Sequence, residues 1–343
     1  MPTIKEVADL AGVAVGTVSH VINGSVPVSE SLKRKVHAAI RELDYHPNHV
    51  ARSLKTSRTQ TLGIIVPDMT IPYFPRVIRG AEASAREYGY SLIAVNSDDN
   101  HARQKELLSL LRSQRVEGIL LAVSAGPTPL AQISRIISAG IRLVCVDRIP
   151  DRLPVDSVSV EDVSAAELGI DHLIAMGHQR IAIVTGPLTL KNERQRLLGY
   201  HQSMDRAKLQ INPDLIWEGN ILPDDVAVLC RNHLRDGSPH PDAIFATNGP
   251  TGLGVLRALH DCGLRTPEDM ALVTFDELTV DDLFQPAVTT VIQPAYDIGY
   301  RAAQILLQRI ETGGSLAETM TVRLPATLKI RDSSRLPYPS AAD

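Results

Sequence analysis

The spacing of apolar positions changes near residue 60. Before it they recur at helical intervals: Ile4, Val7, Ala8 and Ala11 share one face, Val18, Val21 and Ile22 another, and Leu32, Val36, Ile40 and Leu43 a third. Thr3 and Glu6 have capping-box spacing, so the first helix is expected to begin near Ile4. Gly12 permits a sharp turn into the second helix, Asn23-Gly24 ends it, and a third is expected from about Ser31. His46-Pro47 stops this unit, because the residue before a proline disfavours helical dihedrals, and Asn48 can cap a short helix over 49–55. After a polar linker, runs such as TLGIIVPD, VEGILLAV, RIAIVTG and MALVTFD alternate with amphipathic helices. That alternation predicts parallel sheet with helices on both faces. Some ten strands are too many for one ordinary open sheet, so two lobes dividing near Glu161 are expected.

Length and charge refine this picture. With 343 residues, two or three domains are expected. The net charge of −4 conceals an uneven distribution: residues 1–60 hold eight Lys and Arg against five Asp and Glu, the remainder 27 against 34. A modestly basic head on an acidic body places any contact with phosphate in the head. MPTIKEVADL has no basic segment followed by an apolar run, and no apolar stretch is long enough to cross a bilayer, so neither export nor a membrane partner is expected. Cys145, Cys230 and Cys262 match neither a disulfide framework nor metal-ligand spacing, and each lies in an apolar context suited to a buried thiol in a reducing cytoplasm. His172, His178, His201 and His233 have no mutual metal spacing and read as isolated surface histidines, so no metal and no cofactor are expected.

In a two-lobed α/β body a ligand sits between the lobes at the carboxyl ends of the strands. Asp68 and then Tyr73-Phe74 follow the first strand, two adjacent rings in a chain only 4% aromatic. They either stack on a sugar face or nucleobase, or pack the following helix. After later strands come Ser124, Asp147-Arg148, Asn192 with Arg196, Asn248 and Asp276. Asp147 either meets a ligand or orients Arg148, Arg196 either binds or forms an ion pair, and Asp276 either binds or caps its loop. The sequence contains no P-loop, no G-x-S-x-G elbow and no H-E-x-x-H, and GPTGLG at 249–254 reads as a helix start, so catalysis is not expected.

TIKEVADLAGVAVGTVSHVING resembles the helix-turn-helix of the lactose-repressor (LacI/GalR) family of bacterial transcription factors, and YHPNHVARSLKTSRTQTLGIIVPD resembles that family's hinge and first effector-domain strand. VDR, GHQRIAIVTGP, VTFDEL, PAVTTVIQPAYDIG and LKIRDSS follow in family order, so the match spans essentially the whole chain. The resemblance implies an all-α DNA-binding head over 1–46 and a hinge helix and linker over 47–60. It further implies a two-lobed, doubly wound, periplasmic-binding-protein-like domain over 61–335, with an N-lobe of about 61–160 plus 292–322, a C-lobe of about 161–291 plus 323–335, and a tail at 336–343. The implied function is a repressor acting as a cytoplasmic homodimer on a near-palindromic double-stranded operator under control of a small effector. A carbohydrate is expected on family frequency; a purine-like co-repressor or, further off, a sugar receptor without a DNA role are the alternatives.

By the same resemblance Val15, Gly16 and His20 read base edges, and Thr3, Thr17, Ser19 and Asn23 are further DNA-contact positions, although Thr17 and Ser19 can instead satisfy their own helix. Ala14 stands where the family often has a Ser cap and His20 where it often has Arg, so readout is expected to be thin. Leu54 matches the leucine that wedges into the central base step, flanked by Ala51, Arg52 and Lys55, against the plainer reading of an amphipathic-helix residue. Gly249-Pro250 after Asn248, with Leu190 and Ile221, suggests a pocket less polar than a typical hexose site.

Overall fold

The computed structural model describes residues 2–23, 26–45, 58–126, 130–151, 153–235, 240–278, 285–313 and 318–335, with Asn23 described in backbone alone. The expected contact residues Ala51, Leu54 and Lys55, and the side chain of Asn23, therefore lie outside the described residues. The chain divides into two compact units, 1–59 and 60–343.

The first unit contains α1 (Ile4–Ala11), α2 (Val15–Asn23) and α3 (Glu30–Glu42). Its opening capping box is formed: Thr3 N–H donates to Glu6 Oε2 at 2.6 Å and Glu6 N–H to Thr3 Oγ1 at 3.3 Å. Gly12, at φ 64°, ends α1 in the left-handed conformation that a Cβ disfavours. Val7, Ala8, Val18, Val36 and Ala39 meet in one small core, the outcome of three apolar stripes facing inward.

In the second unit the strands are β1 (Thr61–Val66), β2 (Ser91–Asn96), β3 (Gly118–Leu121), β4 (Arg142–Val146), β5 (Asp156–Val160), β6 (Ile181–Thr185), β7 (Ile216–Glu218), β8 (Ala243–Ala246), β9 (Ala271–Phe275), β10 (Thr289–Ile292), β11 (Thr321–Leu324) and β12 (Thr327–Lys329). The helices are α4 (Tyr73–Glu87), α5 (His101–Ser113), α6 (Leu130–Ser138), α7 (Asp162–Ala175), α8 (Lys191–Arg206), α9 (Pro223–Arg235), α10 (Gly249–Asp261) and α11 (Ala295–Glu311). They build two six-stranded sheets, ordered β2-β1-β3-β4-β5-β11 and β7-β6-β8-β9-β10-β12. Every pairing is parallel except β10 with β12. Central strands such as β3, β6 and β9 are buried along their whole length, which is why they read as continuous apolar runs.

The chain passes between the sheets three times: at Glu161, at Gln293-Pro294 and at Pro325-Ala326. The helix α11 returns to the first lobe, where it packs on α4 in the core containing Val77, Ala81, Ile298 and Ala302. These two helices approach until a Cβ on Gly80 would stand 2.0 Å from Tyr296 O and one on Gly299 1.9 Å from Val77 O. Only glycine fits at either crossing position.

Candidate functional site

The strand ends aim two acidic residues at the cleft. Asp147 directly follows β4 and Asp276 directly follows β9, one from each lobe, at φ 57° and 67°. Left-handed backbone at non-glycine residues costs energy and concentrates at functional positions. Between them lies Arg196, which α8 carries on its buried face; it is 1% exposed. Its Nε donates to Asp162 Oδ1 at 2.8 Å and Nη1 to the Thr247 carbonyl at 2.7 Å, and its guanidinium carbon lies 3.8 Å above the Phe275 ring centroid. Nη2 is 4.0 Å from Asp147 Oδ1 and makes no hydrogen bond among the described residues. Arg196 is thus neither a surface ion pair nor an open fork, because most of its donors are engaged within the protein.

Two residues at the interlobe crossings hold this centre. Asp162, just after the first crossing, binds Arg196, and Gln293, at the second, donates through Nε2 to both oxygens of Asp276 at 2.9 and 3.0 Å. Burial pushes the carboxyls of Asp162 and Asp276 up to about 7, although the Arg196 charge pulls both down. Burial likewise raises Asp147 against the pull of Arg196 and Arg148.

A small chamber of about 30 Å³ occupies this centre; Tyr73, Phe74, Asp147, Arg148, Asn192 and Arg196 line it, and so do Asn248 and Asp276. Eight of the nine expected effector residues are therefore brought together. The exception is Ser124: its hydroxyl lies 3.0 Å from that of Ser97 and its N–H donates to Gln104 Oε1, so the loop after β3 is tied towards α5 and β2 rather than to the chamber. Tyr73 and Phe74 open α4 instead of standing in a loop, packed edge to face at 5.1 Å and buried in the first lobe's core. Arg148 is oriented by Asp99, at 2.7 Å, with Asp147 farther off at 3.9 Å. Asn248 caps α10, accepting from Thr251 N–H and Oγ1, and donates through Nδ2 to Glu193. Leu190 is buried at the start of α8 and does not line the chamber, whereas Ile221 does.

Glu193 is the main residue that sequence reasoning missed. It is 1% exposed and accepts from Thr185 Oγ1, Gly186 N–H, Thr247 Oγ1 and Asn248 Nδ2, joining the loops after β6 and β8 to α8. Its signal was present: a residue three before Arg196 on a helix shares the arginine's face. Asp99 carried no such signal, since it reaches Arg148 across 49 residues of sequence.

A second cavity of about 720 Å³ shares Ile71, Arg148, Ile221 and Pro250 with the chamber as walls. Pro67, Pro72, Pro187, Leu222, Leu253 and Leu278 make its lining largely apolar. The histidines are not isolated surface groups as expected. His178 is buried with Nδ1 3.7 Å from Asp242, His172 Nε2 lies 2.8 Å from Ser334 Oγ, and His233 stacks on Trp217 at 4.8 Å. Tertiary packing supplied these partners from distant segments. Cys145 and Cys230 are buried, their thiols pushed up to about 12, while Cys262 is half-buried. No described helix is long and apolar enough to cross a membrane.

In the first unit Val15 is 42% exposed and a Cβ on Gly16 would meet nothing within 4 Å, so the start of α2 presents an open, nearly featureless surface. Thr17, Ser19 and His20 are half-buried, and the Thr3 hydroxyl is engaged with Glu6. The Ala14 carbonyl accepts from Thr17 and Val18, but its side chain has no oxygen with which to cap α2.

Comparison with known proteins places these features together. The family model "Bacterial regulatory proteins, lacI family" matches residues 3–48, and "Periplasmic binding protein-like domain" matches 170–334. The chain is 36% identical over 310 residues to the HTH-type transcriptional repressor PurR of Haemophilus influenzae (strain PittEE), covering 90% of this chain and 91% of the relative. It is 35% identical over 316 residues to the ribose operon repressor of Escherichia coli (strain K12), covering 90% and 93%. The solved lac repressor dimer bound to operator and the anti-inducer ONPF superposes with a TM-score of 0.84 at 27% identity, covering 97% of this chain and 99% of that one. With the helix-turn-helix at one end and the two-lobed domain at the other, this chain belongs to the LacI family as a DNA-binding transcriptional regulator.

Proposed function

We propose that the chain is a cytoplasmic, non-catalytic repressor, working as a homodimer on a near-palindromic operator that a small carbohydrate controls through the interlobe cleft. The observation that carries this reading is the pairing of Asp147 and Asp276, one from each lobe, around Arg196 and beside residues of two interlobe crossings. A ligand touching both carboxylates interacts differently with open and closed lobes, and that difference is what an allosteric effector requires. The similarity to a ribose operon repressor supports a sugar.

In the head, Val15, Gly16 and His20 of α2 face base edges, with Thr3, Thr17, Ser19 and Asn23 as phosphate or positioning contacts. Such a bare helix offers Val15 to a thymine methyl and His20 to a purine edge, so specificity draws on half-site spacing and DNA shape as well. Leu54, flanked by Ala51 and Lys55, is the minor-groove wedge.

Capture of fragmented source-genome DNA on the purified full chain, at fixed near-physiological salt, tests the reading. Enrichment of a short near-palindrome, released or tightened by a metabolite extract, is expected. Asp276→Ala retains operator capture and loses the response to extract. A variant that still responds as the parent does removes the cleft from the effector pathway.

A further inference from the structure

We infer that two ion pairs, Arg76–Glu277 and Asp151–Arg194, form an electrostatic latch across the cleft that holds the two lobes together before any ligand enters. The inference concerns the chain's own lobe equilibrium and stands whichever molecule the cleft takes.

Each pair joins one residue of the first lobe to one of the second. Arg76, on α4, brings Nη1 within 2.5 Å of Oε2 of Glu277, which lies just past the end of β9. Asp151, in the loop after β4, brings Oδ2 within 2.5 Å of Nη2 of Arg194 on α8. The pairs stand on different sides of the first sheet. Helix α4 packs in the core of Val77 and Ala81 on one face, whereas Ile149 and Leu153, which flank Asp151, pack in the core of Ile65, Leu121 and Cys145 on the other. A rotation of the lobes that spares one pair therefore stretches the other.

The remaining partners of the four residues distinguish a latch from ordinary surface charge. The second-lobe members are held by their own lobe: Arg194 Nη1 donates to the carbonyls of Leu188 and Thr189 at 2.8 and 3.0 Å, and Glu277 Oε1 lies 3.7 Å from Arg331 Nη2. The side chains of Arg76 and Asp151 have no other hydrogen bond or ion pair among the described residues, so all of their pairing lies across the cleft. With Arg76 54% and Asp151 50% exposed, each pair adds little to folding and is screened by salt. A lobe equilibrium is more sensitive: one such pair shifts it about two- to five-fold, and the two together roughly tenfold. Both also adjoin effector-site candidates, since Glu277 follows Asp276 and Arg194 lies between Asn192 and Arg196 on α8. A ligand that moves α8 or the loop after β9 acts on the latch.

Pulsed electron spin resonance on the full chain tests this. Nitroxide labels go on an exposed helix position of each lobe, Glu106→Cys on α5 and Asn232→Cys on α9, in a Cys262→Ser background. Cys145 and Cys230 are buried, and dilution with unlabelled chain restricts the signal to distances within one chain. At low salt a single short distance dominates. Raising NaCl from about 0.05 to about 0.5 M enlarges the long-distance population several-fold. Asp151→Lys and Arg76→Gln each enlarge it at low salt, and Arg194→Glu added to Asp151→Lys restores the short distance by rebuilding the pair with its charges exchanged. A distribution that stays unchanged under salt or under Asp151→Lys, or that the charge exchange fails to restore, overturns the latch.

Discussion

Asp276 shows how one side chain's environment becomes a property of the whole protein. Burial lifts its carboxyl to about 7 against the pull of the Arg196 charge and the Gln293 hydrogen bond, and the neighbouring charges of Asp147 and Glu193 push it the same way as burial. The folded chain therefore holds this proton more tightly than the unfolded chain, whose carboxyl titrates near 4. Stability from this group is fully present below about pH 4 and is lost as pH rises through about 7. Asp162, also lifted to about 7, adds a fall of the same sign. Urea unfolding of the ligand-free chain is expected to show a midpoint that falls between pH 5 and 8. Asp276→Asn flattens that fall and is the more stable protein at pH 8 by roughly 1–3 kcal/mol. A midpoint rising with pH in the parent, or an unchanged slope in the variant, removes the buried-acid account. The residue list itself was largely legible in the sequence, because the strand-end rule needs only an apolar run and the polar residue that follows it. It missed the inward orientation of Glu193, and it could not tell that Asn248 and most of Arg196 are engaged by the protein rather than open to a ligand.

Among the elements, the α4–α11 pair decides how the first lobe closes upon itself. The two helices are separated by more than 200 residues in sequence and touch at Gly80 and Gly299 with no room for a methyl group. Gly299→Ala is expected to force them apart, at a cost of about 1–3 kcal/mol, read as a Tm lower by roughly 3–10 °C. The same variant keeps its far-ultraviolet helical signal, since alanine is the better helix former. An unchanged Tm contradicts the close crossing. Element existence followed the sequence closely where periodicity was long: α1 and its capping box, the central strands, and α10 at GPTGLG. It failed for β11 and β12, which bring the strands among the described residues to twelve where about ten were expected. These are edge strands of four and three residues with alternating exposure, too short and too polar to stand out from loop sequence.

For the whole molecule, the division of labour is a small basic unit that meets DNA and an acidic body that senses a ligand. That division makes the two activities separable by mutation. Leu54→Ala is expected to weaken operator binding by about tenfold or more and to reduce operator bending if Leu54 is the wedge we propose, since such a wedge supports the bent duplex. It leaves any rise in Tm on adding metabolite extract unchanged, since Leu54 belongs to the expected hinge and not to the cleft. Fluorescence anisotropy at several salt concentrations separates the two effects: losing a wedge lowers affinity without changing the salt slope, whereas losing a phosphate contact reduces the slope. An unaltered operator affinity overturns the wedge.

The sequence by itself determined the class of the protein: helical head, parallel two-lobed body, strand-end candidates and the family blocks in order. Each is a local or periodic property, carried by side-chain spacing along a helix or strand, and so readable without coordinates. Only the tertiary structure decided which candidates face an open chamber and which are satisfied by the protein, which helices touch through glycine, and that two interlobe crossings hold the central charges. Those outcomes depend on contacts between residues far apart in the chain, such as Asp99 with Arg148, Asp162 with Arg196 and Gln293 with Asp276. Hydrogen-bond satisfaction and burial are properties of an assembled neighbourhood, and no single segment contains the neighbourhood that fixes them.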